Sequence, residues 1–446
     1  MNNKIQLSDH FTYKRLLRFT IPSIGMMVCT SIYSIVDGFF VSNFAGKTPF
    51  AAINLIMPVL MILSAVGLMF GTGGSAIVAT TFGEGNLEKG NRRFSLFVYT
   101  TAIIGIVLSI LGIIFIKPIA VLLGAENEML TNAVLYARII LIALPFNLLQ
   151  YLFQSFFVTA EKPKLGLTVT IMAGLTNIVF DALLVILLPQ EYKLAGAAIA
   201  TALSQIVGGT VPLIYFFRKN SSILHLGKAA FNMRAIIKAC TNGSSEFVSN
   251  IAMSLVSMLY NMQLLTYAKE DGVAAYGVMM YVSMIFSAVF LGYSIGTAPI
   301  IGYNYGAQNH KELHGLLRKS IILIGYFAVA MFIAAELLAL PLAKFFVGYD
   351  ANLMHFTADG FRIFAFSFIF MGFAIFSSRF FTALNDGLTS ALISFLRTLV
   401  FQVSAVLVLP LIFEIDGIWY SIAVSELMAV VLSAIFLVAK QKKYHY

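Results

Sequence analysis

Residues 50–86 read FAAINLIMPVLMILSAVGLMFGTGGSAIVATTFGEGN, and residues 273–309 read VAAYGVMMYVSMIFSAVFLGYSIGTAPIIGYNYGAQN. The first stretch carries no charged residue from Phe50 to Thr80. That exceeds the ~20 apolar residues a membrane-spanning helix needs. The two stretches align at an offset of 223: Ala51-Ala52 with Ala274-Ala275, Gly73 with Gly296, and Phe82-Gly83 and Asn86 with Tyr305-Gly306 and Asn309. An apolar run of this length, met twice in order, points to a membrane protein built from an internal repeat.

The repeat extends in both directions. Thr159-Ala160 matches Thr382-Ala383 at the same offset, and Gly124 and Arg138 match Gly348 and Arg362 at 224. Leu188-Pro189, Gly196 and Ser204 match Leu409-Pro410, Gly417 and Ser425 at 221. Apolar runs lie near 15–43, 50–80, 93–116, 131–157, 165–188, 194–217, 236–267, 273–303, 318–343, 354–381, 388–411 and 417–439. They are continuous rather than alternating, which excludes a transmembrane β-barrel. The expected fold is an all-α polytopic membrane protein of twelve helices in two six-helix lobes. Six is even, so both lobes insert the same way up and the repeat is parallel. The expected division is an N-lobe over 1–217, a basic linker over 218–234 and a C-lobe over 235–446.

Composition agrees. Of 446 residues, 59% are hydrophobic and 11% charged, against roughly 25% charged in a soluble domain. A soluble enzyme, a nucleic-acid binder and a disordered chain are disfavoured. Cys29 and Cys240 give neither a disulfide framework nor a metal spacing. No phosphate-binding GxxxxGK[ST] run occurs, and no extramembrane stretch is long enough for an ATPase domain. The first run follows Lys14, Arg15 and Arg18 without a cleavage pattern, so a retained helix is expected rather than a signal peptide.

The basic residues set orientation. With twelve spans, the termini and the loops on their side carry 20 Lys and Arg, from Lys4 to Lys443, and the opposite side carries Lys47, Lys117, Lys193, Lys269 and Lys344. This asymmetry places both termini in the cytoplasm. The net charge of +9 is a topology signal, and no nucleic-acid partner is expected.

Charges at bilayer depth are costly and mark candidate sites. Asp37 lies deep in the first run, with Tyr33 one turn before it. Asn177 and Asp181 are four apart in the fifth run and share a face. Thr201, Ser204 and Gln205 form a polar stripe on the sixth. Asp37 aligns with Tyr260, and Asp181 with Gln402 or Ser404, so both carboxylates belong to the first half alone. Carboxylate, amide and hydroxyl oxygens suit Na⁺ or a carried proton; the bland alternative is hydrogen bonding between neighbouring helices. Tyr33, Tyr136 and Gln154 are candidate substrate contacts by helical position. Glu246 is a candidate substrate or coupling group, or equally an interfacial glutamate. Pro22 is a hinge or a static kink. Glu336, Arg379, Arg397 and Glu426 are expected to form ion pairs among themselves. No enzyme motif and no cofactor site stand out.

The strings IVDGFFVSNFAG and PFAAINL, YNMQLLTYAKEDGVAAYG, TTFGEGN and GYNYGAQN, together with the repeat, resemble the multidrug and toxic compound extrusion (MATE) transporters over nearly the whole chain. The bacterial MepA-like and DinF-like branches are the most similar. The resemblance implies two lobes in a V in a bacterial cytoplasmic membrane, acting as a monomer. It implies export of cationic or amphipathic compounds in exchange for Na⁺ or H⁺. Asp37, Asn177, Asp181 and Thr201 match the DinF-like cation site residue by residue, and Pro22 matches a first-helix proline associated with bending. The family is distantly related to lipid-linked oligosaccharide flippases, so a flippase with a cationic cavity, built on Arg379 and Arg397, is the alternative.

Overall fold

The structure is a computed structural model that describes residues 5–41, 44 and 46–446. Lys4 of the basic count, Ser42 and Asn43 at the end of the first apolar run, Ala45 and the side chain of Lys47 lie outside the described residues. Ten helices are each long and apolar enough to cross a membrane, and the pair Ala351–Ala365 and Ser367–Ala383, bent by 43°, makes an eleventh span. The longest helix, Met233–Gly306, has 74 residues and non-helical backbone at Lys269 (φ 53°). Unbroken, it would run ~110 Å, far beyond a ~30 Å hydrocarbon core, so it is two spans. Twelve result.

They are α1 (Tyr13–Phe40), α2 (Lys47–Gly83), α3 (Leu87–Leu122), α4 (Asn127–Thr159), α5 (Pro163–Leu187) and α6 (Lys193–Phe217). The second set is α7 (233–268), α8 (270–306), α9 (His310–Val347), α10 (the bent pair), α11 (Gly387–Val408) and α12 (415–444), the last following a break at Glu414. Each expected run falls on one of these helices. Most helices overrun the apolar run by several residues, because helical hydrogen bonding continues into the interface after the side chains turn polar. No strand occurs among the described residues.

The repeated motif near Asn86 and Asn309 encodes a turn. Gly85 (φ 83°) and Gln308 (φ 54°) both take left-handed backbone after a helix end. Asn86 then accepts Lys89 N–H at 2.9 Å to cap α3, and Asn309 accepts Glu312 N–H at 3.2 Å to cap α9. Asn at the N-cap satisfies a backbone donor that has no partner within the helix.

The two halves meet on the termini side through glycine. A Cβ on Gly73 would run into Ala239 O, one on Gly243 into Met69 O, one on Gly83 into Tyr303 O and one on Gly306 into Thr80 O. Helices α2, α7 and α8 therefore touch backbone to backbone, as small residues permit in lipid. Asn385 closes the seam by donating to Thr80 Oγ1 at 2.8 Å and accepting from Asn242 at 3.1 Å. Along α1, Gly296 packs on Thr20, Gly292 on Ser23 and Ile24, and Ser31 Oγ donates to Met284 O at 3.3 Å. The connection between α6 and α7 is tied to α3: His225 N–H donates to Asn91 Oδ1 at 2.7 Å and Gly227 N–H to Ser95 Oγ at 3.0 Å.

Three of the four intramembrane charges expected to pair in the second half do so, though not only among themselves, whereas Glu336, half-buried on α9, makes no ion pair among the described residues. Arg397 makes a forked bond to Glu426, with NH2 to Oε1 at 2.8 Å and Nε to Oε2 at 2.9 Å. Arg379 pairs with Glu246 on α7 at 2.7 Å, a partner the sequence reading had set apart.

Two outcomes follow for thermal unfolding in detergent. Arg397→Ala leaves Glu426 buried and unpaired and is expected to cost about 3–5 kcal/mol, whereas Arg397→Met with Glu426→Leu recovers most of the loss; equal melting of the two variants would contradict the pairing. Asp386, in the α10–α11 turn, is raised by burial, but hydrogen bonds from Lys440, Tyr444 and Thr389 outweigh this and hold it below the ordinary carboxylate value. A depressed carboxylate stabilises the fold above its unfolded pKa of roughly 3.9 and stops doing so as pH falls through its folded value. Acidification toward pH ~3 should therefore cost the parent more melting temperature than Asp386→Asn, which loses this term at every pH.

Candidate functional site

Among the first six helices and against α7, a cavity of about 170 Å³ is lined by Tyr33 and Asp37 of α1, Met57, Met61 and Leu68 of α2, Tyr136, Asn147, Gln150 and Tyr151 of α4, Asn177 of α5, Thr201, Ser204 and Gln205 of α6, and Asn250 of α7. It lies just beyond the glycine seam, since Leu68 and Asn250 line it while Met69 and Gly243 are in contact. Two glycines make room for its wall. A Cβ on Gly174 would press on the Tyr33 ring at 2.9 Å, and one on Gly208 would lie 2.7 Å from Gln150 Oε1.

The four residues singled out from sequence converge. Thr201 Oγ1 donates to Asp37 Oδ1 at 3.1 Å, and Asn177 Nδ2 donates to Thr201 Oγ1 at 3.5 Å. Asp181 is fully buried next to Asp37. Helical spacing explains the placement: Asn177 and Asp181 share the inner face of α5, where Asn177 meets Thr201 of α6 and Asp181 lies beside Asp37.

The chemistry is rich in acceptors. Both Asp181 oxygens, Asn177 Oδ1, Gln205 Oε1 and Asn147 Oδ1 are buried without a hydrogen-bond donor. Unsatisfied buried acceptors are costly. An electropositive guest, either a proton or a hard monovalent cation, satisfies such a set. Two adjacent carboxylates repel when both are charged, which favours the same guest. Among the described residues no cluster of three or more His, Cys, Asp or Glu forms a metal centre. Na⁺ would therefore be held by mixed carboxylate, amide and hydroxyl oxygens of Asp37, Asp181, Asn177 and Thr201.

Tyr33 and Tyr136 line the cavity, as their helical positions suggested. Gln154 does not. It lies in a separate void of about 10 Å³ with Phe153, Phe157 and Thr170, and both ends of its amide lack a partner. One turn along α4 toward the termini side carries it past the cavity floor. Glu246 is likewise absent from the lining, because Arg379 holds it; Asn250, one turn on, takes the place at the wall. Asn147, Gln150 and Tyr151 were missed in the sequence. Their spacing with Gln154 marks one polar face of α4, and the cavity-facing members are the earlier ones. Pro22 is buried in an unbroken α1, between the Thr20 and Ser23 contacts with α8.

The sequence profile of the family described as MatE matches residues 22–183 and again 247–407. The chain belongs to the MatE family. The two matched segments are the two halves of the internal repeat. Among curated relatives, the multidrug export protein MepA of Staphylococcus haemolyticus is 26% identical over 72% of this chain and 70% of its own length. MepA of Staphylococcus aureus strain MRSA252 is 22% identical over 93% of this chain and 91% of its own length. A crystal structure of MATE in complex with MaL6 superposes with a TM-score of 0.93 at 21% identity, covering 100% of this chain and 99% of that one. A structure of the outward-facing conformation of a multidrug resistance MATE family transporter gives 0.92 at 22% identity over 100% and 99% of the two chains. These likenesses fix the fold and place this MatE chain beside the MepA-like branch.

The acceptor-rich cluster makes a direct prediction. In detergent at low ionic strength, Na⁺ titration should raise the melting temperature of the parent, by up to about 2.7 kcal/mol in stability at a hundredfold excess over Kd. Asp37→Asn and Asp181→Asn should each abolish the response. A response to acidification without one to Na⁺ would assign the site to protons, and a response surviving both substitutions would remove the ion from this cluster.

Proposed function

We propose that the chain is a secondary antiporter that exports cationic or amphipathic organic compounds in exchange for Na⁺ or H⁺ by alternating access. The single observation that carries this is Asp37 on the wall of a cavity of tyrosine, methionine and amide side chains, with the buried Asp181 directly behind it. The carboxylates attract a cation, while Tyr33, Tyr136, Tyr151, Met57 and Met61 offer flat and adaptable apolar contact. A coupling ion and an organic cation then compete for the same negative charge, which is the simplest route to exchange. The multidrug export relatives point the same way.

The cavity is smaller than the ~300–1,000 Å³ typical of drug sites. A drug-sized guest therefore needs the space above the cavity or a separation of the lobes. The lobes, taken as 1–217 and 235–446 with 218–234 as their linker, meet on the termini side in this state. The basic asymmetry supports cytoplasmic termini in a bacterial inner membrane, so this state faces outward. A monomer suffices, because the cavity is complete within one chain.

Flipping of a lipid-linked diphosphate is the second function considered. It calls for a cationic cavity, yet none of the described lining residues is Lys or Arg. Arg379 and Arg397 are already bound to Glu246 and Glu426.

Proteoliposomes loaded with an ethidium-like dye decide the matter. Imposing an inward Na⁺ or H⁺ gradient is expected to drive dye efflux from correctly oriented protein. Asp37→Asn and Asp181→Asn should each reduce gradient-driven efflux at least tenfold, while Thr201→Val has a smaller effect. Efflux that ignores both gradients, or persists in both carboxylate variants, would end the coupling assignment.

A further inference from the structure

The segment before α1 crosses from one half of the molecule to the other. Leu7 N–H donates to Glu161 Oε1 at 2.9 Å, in the turn between α4 and α5 of the first half. Three residues later the contacts change sides. His10 Nδ1 lies 2.6 Å from Glu312 Oε2, and Phe11 N–H donates to Glu312 Oε1 at 2.9 Å. Glu312 is in the first turn of α9, in the second half, and is only 7% exposed. Phe11 O accepts Lys319 Nζ at 2.7 Å, one face along the same helix. Leu7 and Phe11 are buried, at 1% and 0% exposure, in the apolar cluster that also holds Leu313 and Leu316 of α9. Arg15 NH1 returns to His10 O at 2.9 Å and braces the segment from α1.

A tail that merely led into the first helix would not need a buried carboxylate on the opposite half. Glu312 uses both oxygens on two successive residues of the segment, and its neighbour Lys319 holds the next carbonyl. The chain thus spans the seam with a polar anchor at each end and two buried apolar side chains between. All of these contacts lie on the termini side, where the glycine seam also closes.

We propose that residues 5–12 are a latch that holds the two halves together on the termini side, with Glu312 as its keeper, and that each transport cycle requires its release. This rests on the alternating-access reading given above. Opening toward the termini side separates α9 from the α4–α5 turn, so one of the two anchors must let go. At the Glu312 end both carboxylate oxygens and the Lys319 ammonium are engaged, and such charge-assisted bonds stabilise the closed state. Glu312 acts through the segment, as a positioning residue remote from Asp37.

The latch is tested in two ways on the full chain. First, Thr20→Cys is placed at the buried α1–α8 seam in a protein with Cys29→Ala and Cys240→Ala, and its labelling by a membrane-permeant maleimide is timed. Glu312→Ala should speed labelling roughly ten- to hundredfold, the range for losing a hydrogen bond to a charged group. Glu312→Gln, which keeps an acceptor for Phe11 N–H, should fall between. Second, His10→Cys with Glu312→Cys is bridged by a reducible bis-thiosulfonate. The bridged protein should lose dye efflux at least tenfold while still binding dye, and reduction should restore efflux. Seam labelling unchanged by Glu312→Ala, or undiminished efflux in the bridged protein, would overturn the latch. If the parent exports no dye under any gradient, the antiport reading fails, and the labelling arm still decides the latch.

Discussion

Every backbone amide in the hydrocarbon core must find a partner within the protein, because no water is there to supply one. That constraint makes each crossing a helix, and it shapes what the side chains can do. The capping asparagines Asn86 and Asn309 complete the helix ends at the interface. Between helices, lipid gives little apolar driving force, so close contact has to come from shape. Gly73, Gly83, Gly243 and Gly306 supply it by letting backbones touch. The polar side chains that remain at depth then have to be satisfied by each other or by a guest.

The two halves solve that last problem in opposite ways on the same scaffold. In the second half, Arg397 forks onto Glu426 and Tyr260 bonds Ser421 at 2.7 Å. In the first half the aligned positions hold Gln205 in place of Glu426 and Asp37 in place of Tyr260. Among the described lining residues there is no arginine or lysine. Acceptor oxygens on Asp181, Asn177 and Gln205 are left without donors. A charge balanced by a fixed arginine is part of the architecture. A charge with no fixed partner is available to a mobile one. The repeat thereby separates a half whose buried arginines and glutamates are paired from one whose buried carboxylate Asp181 has no fixed partner.

Much of this was legible in the sequence because it is periodic or local. Apolar runs give the spans, the offset near 223 gives the repeat, and i, i+4 spacing brings Asn177 and Asp181 to one face. What was not legible depends on how deep a helix sits and what crosses it. Gln154 has the same helical face as Gln150, yet it falls one turn below the cavity floor. Glu246 carries the same charge as Asp37, but Arg379 reaches it from a helix more than a hundred residues away in sequence. Gly73 stands out in the sequence only as a repeat position, and its contact with Ala239 and Gly243 of α7 comes from the packing of the two halves. Nothing local in the sequence singles out Glu312, and only the path of residues 5–12 brings His10 and Phe11 to its carboxylate.

Helix α1 joins these parts. It starts at the segment held by Glu312, packs Thr20, Ser23 and Ile24 against the glycines of α8, and carries Asp37 into the cavity. Pro22 lies between the first two, and without an N–H it leaves the carbonyl one turn earlier free of its usual helical bond. The helix is therefore weakest where it meets the seam and regular where it meets the acid. A rigid rod running from the latch to the carboxylates would force both ends to move together. A rod with one missing bond beside the seam can change its lower part while Asp37 keeps its place against Thr201. For the proposed exchange, that is the useful arrangement: the proposed ion site would keep its geometry as the lobes part, and the cost of parting would fall on the seam and the proposed latch.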